Sequence, residues 1–251
     1  MDWQVERLRL TAFINHKADP EDYKVWKDIF DEHPDESVIL RKEQRLQEQG
    51  AFNGHHLIMQ LQPFRFDWIF LKEKNADDES DETDPSPEFP FVGSFDDDLI
   101  LPFRDLAIRW LDGSSLIDRL AFGAILLSPV EVHEDGYEIL DGMLPDVRVD
   151  RTARDFLFQV NRRRPTSSGV DGLDINRLTK WSVARLFDAS VSLSQSAMRS
   201  STRSGSSACR LELDMNTADE FAGSLPDSKL SQIFTELIDF AIEIADQGDI
   251  A

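Results

Sequence analysis

Hydrophobic and polar residues alternate in several short stretches of this chain, and strict alternation is the pattern of a half-buried β-strand. In residues 5–14, for example, Leu8 and Leu10 alternate with Arg7 and Arg9. Elsewhere the hydrophobic residues recur about every 3.6 positions, which is typical of an amphipathic helix. The pattern predicts strands at residues 5–14, 38–46, 57–62, 66–71, 119–127, 155–163, 175–187 and 210–215, and helices at residues 20–31, 95–111, 132–143 and 229–246.

The second half of the chain repeats features of the first half in the same order. Residues 5–13 (VERLRLTAF) and 117–125 (IDRLAFGAI) both place a hydrophobic residue, an acid, an arginine and a leucine in succession, and Ala12 matches Ala124. Four echoes in one order predict an internal duplication. The other three pair residues 21–23 with 134–137, 57–62 with 156–161, and 99–112 with 230–243.

We therefore predict an α+β fold with two repeats, residues 1–115 and 116–251, each a β-α-β-β-β-α unit. The sheet is expected to be mainly antiparallel, with the helices gathered on one of its faces. Residues 73–90 are acidic and of low complexity, and residues 189–207 are rich in serine. Such compositions favour flexible loops at both places.

The charge of the whole chain favours a basic protein partner. The formal net charge of −21 and the pI near 4.5 disfavour nucleic acid and anionic membranes as general partners. The acidic loop offers a dense set of carboxylates for such a partner. The partner-binding residues predicted there are Asp77, Asp78, Glu79, Asp81, Glu82 and Asp84.

One segment has the opposite balance of charge. From Arg148 to Arg210 the chain has twelve basic and five acidic residues. If residues 155–163 and 175–187 pair as a hairpin, their basic side chains form a patch that suits phosphate oxygens. Alternatively, these arginines pair internally with the acidic half and hold the two repeats together. The anion-binding residues predicted by the first hypothesis are Arg162, Arg163, Arg164, Arg177, Lys180 and Arg185.

The sequence has no motif for a catalytic group, a cofactor or a metal. The single cysteine, Cys209, excludes an internal disulfide and a cysteine-rich zinc site, and its place in a strand indicates a small core residue. The five histidines lack metal-ligand spacing, and there is no phosphate-binding glycine loop or nucleophile elbow. We accordingly predict neither a cofactor nor a metal site.

The sequence also predicts where in the cell the protein is found. The start of the chain has neither the basic residues nor the apolar run of a signal peptide. No apolar run approaches the roughly 18 residues that span a bilayer. These features predict a cytoplasmic protein without membrane contact.

One hairpin resembles a known pattern. Residues 60–68 (QLQPFRFDW) contain the Q-x-Q-x-x-R-F core, with a tryptophan nearby, of a sporadically distributed family of uncharacterised bacterial proteins of similar length. The strand at residues 211–214 (LELD), before the last helix, is similar to the late part of that family. The resemblance implies no known activity. It implies structural roles for Gln60, Gln62, Arg65 and Trp68.

Together these features predict a non-enzymatic interaction component, such as an adaptor, an immunity protein or an antitoxin-like protein. It would bind another protein through its sheet or its acidic surface. The alternative is an enzyme or ligand-binding protein whose basic patch takes a phosphorylated ligand or nucleic acid. The sequence leaves the oligomeric state open.

Overall fold

The computed structural model describes residues 1–18, 20, 24–72, 89–152, 154–194 and 197–249, with the backbone alone for residues 187–194 and 197–205. Eleven strands and four α-helices lie in these ranges. The strands are β1 (Gln4–Ile14), β2 (Glu36–Leu40), β3 (Arg45–Phe52), β4 (His55–Gln62), β5 (Arg65–Leu71), β6 (Gly93–Ser94), β7 (Ile117–Val130), β8 (Leu157–Asn161), β9 (Arg164–Pro165), β10 (Asp174–Ser194) and β11 (Ala197–Thr217). The helices are α1 (Val25–Phe30), α2 (Asp97–Asp112), α3 (His133–Met143) and α4 (Leu230–Gln247).

All described strands belong to one sheet, and every pairing in it is antiparallel. The order across the sheet is β2-β3-β4-β5-β1-β7-β11-β10-β8, with β6 added to β1 and β9 added to β10. The first strands of the two halves, β1 and β7, therefore lie side by side at the centre. This arrangement joins the halves into one continuous sheet.

The helices cover only one face of this sheet. On that face Phe66 of β5 stacks on Trp110 of α2 with 4.0 Å between ring centroids, and Phe122 of β7 meets Phe234 of α4 edge to face. Helix α3 packs so closely on β10 that a Cβ at Gly136 would lie 2.7 Å from the Val183 side chain. One large apolar core fills the space between the sheet and the helices.

The predicted α+β class and the large antiparallel sheet are confirmed. The order of strands outward from β1 is β5, β4, β3 and β2, and outward from β7 it is β11, β10 and β8. One sequence echo does not follow this order, because residues 57–62 lie in β4 whereas residues 156–161 fall largely in β8, at the edge of the sheet. Duplication of the whole unit stays a prediction.

Three local predictions differ from the structure. Residues 189–207, predicted as a loop, have backbone paired as strands on both sides of residues 195–196, in a register that includes Ala189 opposite Thr202. Serine alternates with apolar residues at 189–194, and the low-complexity composition obscured this strand pattern. Residues 38–46 span two strands, β2 and β3, rather than one, and α1 is shorter than residues 20–31.

No helix in the described ranges is long and apolar enough to span a membrane.

Candidate functional site on the open sheet face

The face of the sheet opposite the helices is uncovered over most of its width, and we call it the open face. Alternation along each strand decides which side chains reach it. On β1 they are Arg7, Arg9, Thr11 and Phe13, because Leu8 and Leu10 point into the core. The positions opposite them across the sheet share this face. They include Arg65 and Asp67 on β5, Arg119, Ala121, Gly123 and Ile125 on β7, Arg210, Glu212, Asp214 and Asn216 on β11, and Lys180 on β10.

A trough runs along β7 on the open face, because β7 has small residues there. Ala121 and Gly123 form its floor, while longer side chains of β1 and β11 rise on either side. The trough holds two adjoining clefts of about 260 and 220 Å³, which share Arg9 and Asp214 in their linings. The central sheet therefore presents a polar groove to solvent.

Arg9 is the central cation of this groove. Its guanidinium lies over Gly123, so close that a Cβ at that residue would lie 3.6 Å from Nε and from Nη2. Arg9 Nε is buried and has no hydrogen-bond partner among the described residues. Burial lowers the pKa of Arg9, and the carboxylates of Asp67 and Asp214 oppose that shift. A buried donor without a partner is costly, so the site favours an incoming acceptor.

The carboxylate of Asp67, whose charge acts on Arg9, already accepts hydrogen bonds from other donors. Asp67 is 1% exposed, and its two oxygens accept bonds of 2.7 and 2.9 Å from Nε and Nη2 of Arg65. The Thr11 hydroxyl also donates to Asp67 Oδ1. Fork-to-fork pairing of this kind fixes both side chains. Asp67 thus acts on Arg9 only through its charge.

The far wall of the groove is an ion-paired cluster. Glu212 accepts 3.0 Å hydrogen bonds from Lys180 and from Arg210, and Arg210 also donates to Glu6 at 2.8 Å. Burial by itself would raise the pKa of Glu212, but the hydrogen bonds from Lys180 and Arg210 outweigh burial and lower it. Within this cluster the two cations and the two carboxylates balance one another, in contrast to Arg9 on the opposite wall.

The charges of the groove indicate which kind of ligand it would suit. Arg7, which is exposed, and Arg9 form no ion pair with any described residue, whereas Arg65, Lys180 and Arg210 each have a carboxylate. Asp214 faces them and would repel a second negative charge on a ligand. A carboxylate, with a single charge and two acceptor oxygens, fits these surroundings better than a phosphate dianion. Within the described ranges, no group of three or more potential metal ligands is present.

The structure gives three of the predicted anion-binding arginines carboxylate partners. Arg162 donates two 2.7 Å bonds to Asp249, Arg163 pairs with Glu220 at 2.9 Å, and Arg164 pairs with Glu243 at 3.1 Å. All of these partners belong to the second half of the chain. These three arginines are therefore paired internally, but the pairs do not hold the two repeats together as the internal-pairing hypothesis expects. Among the described residues, the ion pair that joins the halves is that of Arg210 with Glu6.

The other three predicted residues lie apart from one another. Arg177 faces the helices, is 1% exposed, and has its guanidinium carbon 5.4 Å from the ring centroid of Phe240. Burial, and then the charge of Arg164, lower the pKa of Arg177. Lys180 lines the groove on the open face. Arg185 lies in a separate cleft, and the six residues therefore do not form one site.

That separate cleft, of about 840 Å³, lies on the helix side at the start of α3. Its lining includes Arg151, Arg154, Arg185 and His133. The Tyr137 hydroxyl donates to the Arg154 carbonyl at 3.0 Å, so its 3.1 Å contact with His133 Nε2 requires that nitrogen to carry the proton. His133 Nδ1 then carries no proton, and it is buried without a hydrogen-bond partner among the residues that the structure describes. Burial first, and Arg185 second, lower the pKa of His133.

The predicted acidic binding residues Asp77, Asp78, Glu79, Asp81, Glu82 and Asp84 lie outside the described residues. The hairpin of residues 60–68 is described. Gln60, Gln62 and Arg65 reach the open face. Trp68 is fully buried in the core, and its indole nitrogen has no hydrogen-bond partner in the described part of the chain. The polar residues of this motif therefore lie on the open face of the sheet, and its tryptophan lies on the face that packs against the helices.

Sequence reasoning missed Arg7, Arg9 and Asp214 as site residues. A signal was present, since two arginines alternate on the polar side of a strand without an acid two positions away. The glycine under Arg9 could not be assigned to it, because the pairing of Arg9 with Gly123 depends on the register of two strands far apart in the chain.

Comparison with known proteins gives no match for this chain among family models, curated proteins or solved structures.

Proposed function

We propose that this chain is a non-enzymatic interaction component that holds a partner protein against its open face. Acidic side chains of the partner would pair with Arg7 and Arg9. The observation that carries the proposal is the guanidinium of Arg9, held over Gly123 with a buried nitrogen that no described residue satisfies. A carboxylate of the partner protein would accept the hydrogen bond that Arg9 Nε does not make within the described chain.

The charge of the open face supports an acidic partner surface. Basic and acidic side chains occur in nearly equal numbers at its described positions, although the whole chain carries −21. This local balance of charge lies within an otherwise negative surface, so it also sets the orientation of a partner. The basic residues include Arg7, Arg9, Arg45, Arg65, Arg119, Lys180 and Arg210, and the acidic residues include Glu6, Glu36, Asp67, Asp174, Glu212 and Asp214.

The dimensions of the face suit a protein. Nine strands lie side by side, and at the usual strand spacing they span roughly 38 Å. Amide side chains flank the charged centre and supply both donors and acceptors for a polar interface. They are Gln47, Gln49, Gln60 and Gln62 on one side and Asn161, Asn176 and Asn216 on the other.

The test is a comparison of matched variants in co-purification from native cells. A stoichiometric protein should be retained by the wild type at low salt and lost with Arg9→Gln and with Arg7→Gln. It should be kept by Arg148→Gln, which removes an exposed arginine beyond α3. Circular dichroism checks that each variant is folded. Retention by both open-face variants would disprove the proposal.

Charge reversal in residues 77–84 tests the acidic segment in the same assay. If these variants lose the partner and Arg9→Gln keeps it, the partner binds the acidic segment rather than the open face, and its own surface is basic. Identical retention by all the variants would contradict both forms of the interaction proposal.

A phosphorylated ligand or nucleic acid remains the alternative, with or without catalysis. The observation that favours it is that Arg151, Arg154 and Arg185 line one cleft at the start of α3. Arg162, Arg163 and Arg164 are less suited to a ligand, because they already have carboxylate partners. Inorganic phosphate or ATP should then raise the melting temperature of the wild type but not of Arg185→Gln. No stabilisation by either would argue against this alternative.

We also propose that the two halves descend from one duplicated unit and that the protein is cytoplasmic. The alignment of Val5 with Ile117 is an offset of 112 residues, which makes Phe122 the counterpart of Leu10. These two residues pair directly near the middle of the β1–β7 contact. A two-fold relation between duplicated halves would place its axis at this pair.

A further inference from the structure

Two opposite charges face each other across the floor of the groove without forming an ion pair. Gly123 of β7 pairs with Arg9 of β1 on one side and with Asp214 of β11 on the other, so the three residues form a row across the open face. Arg9 forms no ion pair with a described residue, and its buried Nε has no hydrogen-bond partner there. Asp214 accepts a 3.0 Å hydrogen bond from Asn216 but likewise has no ion pair within the described ranges.

A row of this kind suits a ligand that carries a negative and a positive charge close together. A ligand with a carboxylate alone would pair with Arg9 but would be repelled by Asp214, and a ligand with an ammonium alone would meet the reverse. A zwitterion would place each of its charges beside the opposite one, and both contacts would be charge-assisted hydrogen bonds. An α-amino acid has this character, because one carbon atom carries both its ammonium and its carboxylate.

Arg7 adds a second cation to the wall on which Arg9 lies. It is exposed, it lies two positions before Arg9 on the same face of β1, and it forms no ion pair with a described residue. Alternate residues of a strand are about 7 Å apart. A carboxylate between the two side chains can therefore accept a hydrogen bond from each of them, with one oxygen for each arginine.

The cleft beside this row also has an apolar part. Ile125 lies opposite Arg7, and Leu178 lies opposite Asp214, and both line the cleft of about 260 Å³. Drug-sized ligands fill clefts of about 300–1,000 Å³, so this one suits a smaller molecule. Its apolar residues favour a short aliphatic chain on that molecule. The remaining polar wall is formed by Gln159, Lys180 and Glu212.

We infer that this cleft binds a free aliphatic α-amino acid as its zwitterion. The carboxylate of the ligand pairs with Arg7 and Arg9, and its ammonium pairs with Asp214. Its aliphatic side chain lies against Ile125 and Leu178. The inference goes beyond the proposed function because it requires no partner protein. It is tested on the purified chain, so that it and the partner interaction can each fail without the other.

Isothermal titration calorimetry with leucine, isoleucine and valine tests the ligand class. The wild type should bind at least one of them, and about tenfold or more tightly than the two analogues of that amino acid that lack one charge. For leucine these are 4-methylpentanoate, which lacks the ammonium, and leucinamide, which lacks the carboxylate. Absence of binding by all three amino acids at millimolar concentration would overturn the inference. Equal affinity for the amino acid and its analogue without the ammonium would also overturn it.

Variants test the residues that hold each charge. Asp214→Asn should weaken binding of the amino acid and remove its preference over the analogue without the ammonium, because the amide cannot neutralise that group. Arg9→Gln should weaken binding of both molecules. Arg45→Gln is the control, since this arginine lies on the open face at β3 but outside the cleft, and it should bind as the wild type does. Circular dichroism checks that each variant is folded. An unchanged preference in Asp214→Asn, or an equal loss in Arg45→Gln, would contradict the assignment.

Discussion

Leu10 of β1 pairs directly with Phe122 of β7, and both side chains are fully buried on the helix side of the sheet. The pair lies where the first strands of the two halves meet. Arg9 precedes Leu10 and Gly123 follows Phe122, so both of these residues lie on the open face. The contact that joins the halves therefore also places the candidate binding groove at the centre of the molecule.

Loss of the ion pair between Arg162 and Asp249 should destabilise the fold. Asp249 is 4% exposed, and Arg162→Ala would remove both of the hydrogen bonds that its carboxylate accepts from Arg162. We expect the free energy of unfolding to fall by about 1 to 3 kcal/mol, less than for a fully buried pair because Arg162 keeps part of its surface in water. Urea denaturation measures this change. Arg163→Ala is the control and should have no measurable effect, since its partner Glu220 is largely exposed. Equal effects of both variants would contradict the prediction.

Gly248 is the residue at which alanine should be least tolerated. Its φ of 83° and ψ of −161° lie in a region that is essentially restricted to glycine, and a Cβ would lie 2.3 Å from the Met143 carbonyl oxygen. Gly248→Ala should destabilise the fold by about 2 kcal/mol or more. Gly223→Ala separates the two causes, because Gly223 also has a positive φ but has open space around it. A smaller loss at Gly248 than at Gly223 in thermal unfolding would disagree with this account.

His133 should make stability depend on pH near neutrality. Its pKa in the folded state is lowered, chiefly by burial, whereas the unfolded value is about 6.5. The unfolded chain therefore binds the proton more readily, and this contribution to stability is complete above pH 6.5 and is lost as pH falls toward the folded pKa. His133→Gln keeps an N–H for Tyr137 but does not titrate. Denaturation at pH 7.5 and 5.5 should show the wild type losing more stability than the variant, and parallel losses would refute the assignment.

Cys209 should be unreactive in the folded protein. Its side chain is fully buried, its Sγ lies 3.2 Å from the Gly136 carbonyl oxygen, and burial raises the pKa of the thiol to about 12. Because the thiolate is the reactive form, a disulfide reagent at pH 8 should modify it only after unfolding. The control is the same reaction in denaturant, where modification of the thiol should be fast and complete. Rapid modification of the native protein would show that Cys209 is accessible.

The elements with strong periodicity could be predicted from the sequence. Helix α4 was expected at residues 229–246 and spans Leu230–Gln247, because seven apolar residues repeat there at helical spacing. The long hairpin of β10 and β11 was missed beyond residue 187, where serine-rich composition was given more weight than alternation. Cross-strand pairing, which composition does not report, continues the ladder to Ser194 opposite Ala197.

The candidate site was harder to predict than the fold. The partners of Arg162 and Arg163 are 87 and 57 residues away in sequence, so no local pattern distinguishes a paired arginine from a free one. The same limit applies to Arg9, whose importance depends on a glycine of another strand. Sequence correctly placed Arg7 and Arg9 on one side of β1, but only the strand register shows what lies beneath them.

The central position of β1 has a consequence for how the chain folds during synthesis. Ile14 ends β1 and Ile117 begins β7, which are 103 residues apart. At a translation rate of about 5–20 residues per second, β7 begins to be synthesised roughly 5 to 20 seconds after β1 is complete. Until then its inner edge is open, and pairing across so long a separation is intrinsically slow. Nascent chains are thus most exposed to misassembly before the second half has emerged from the ribosome.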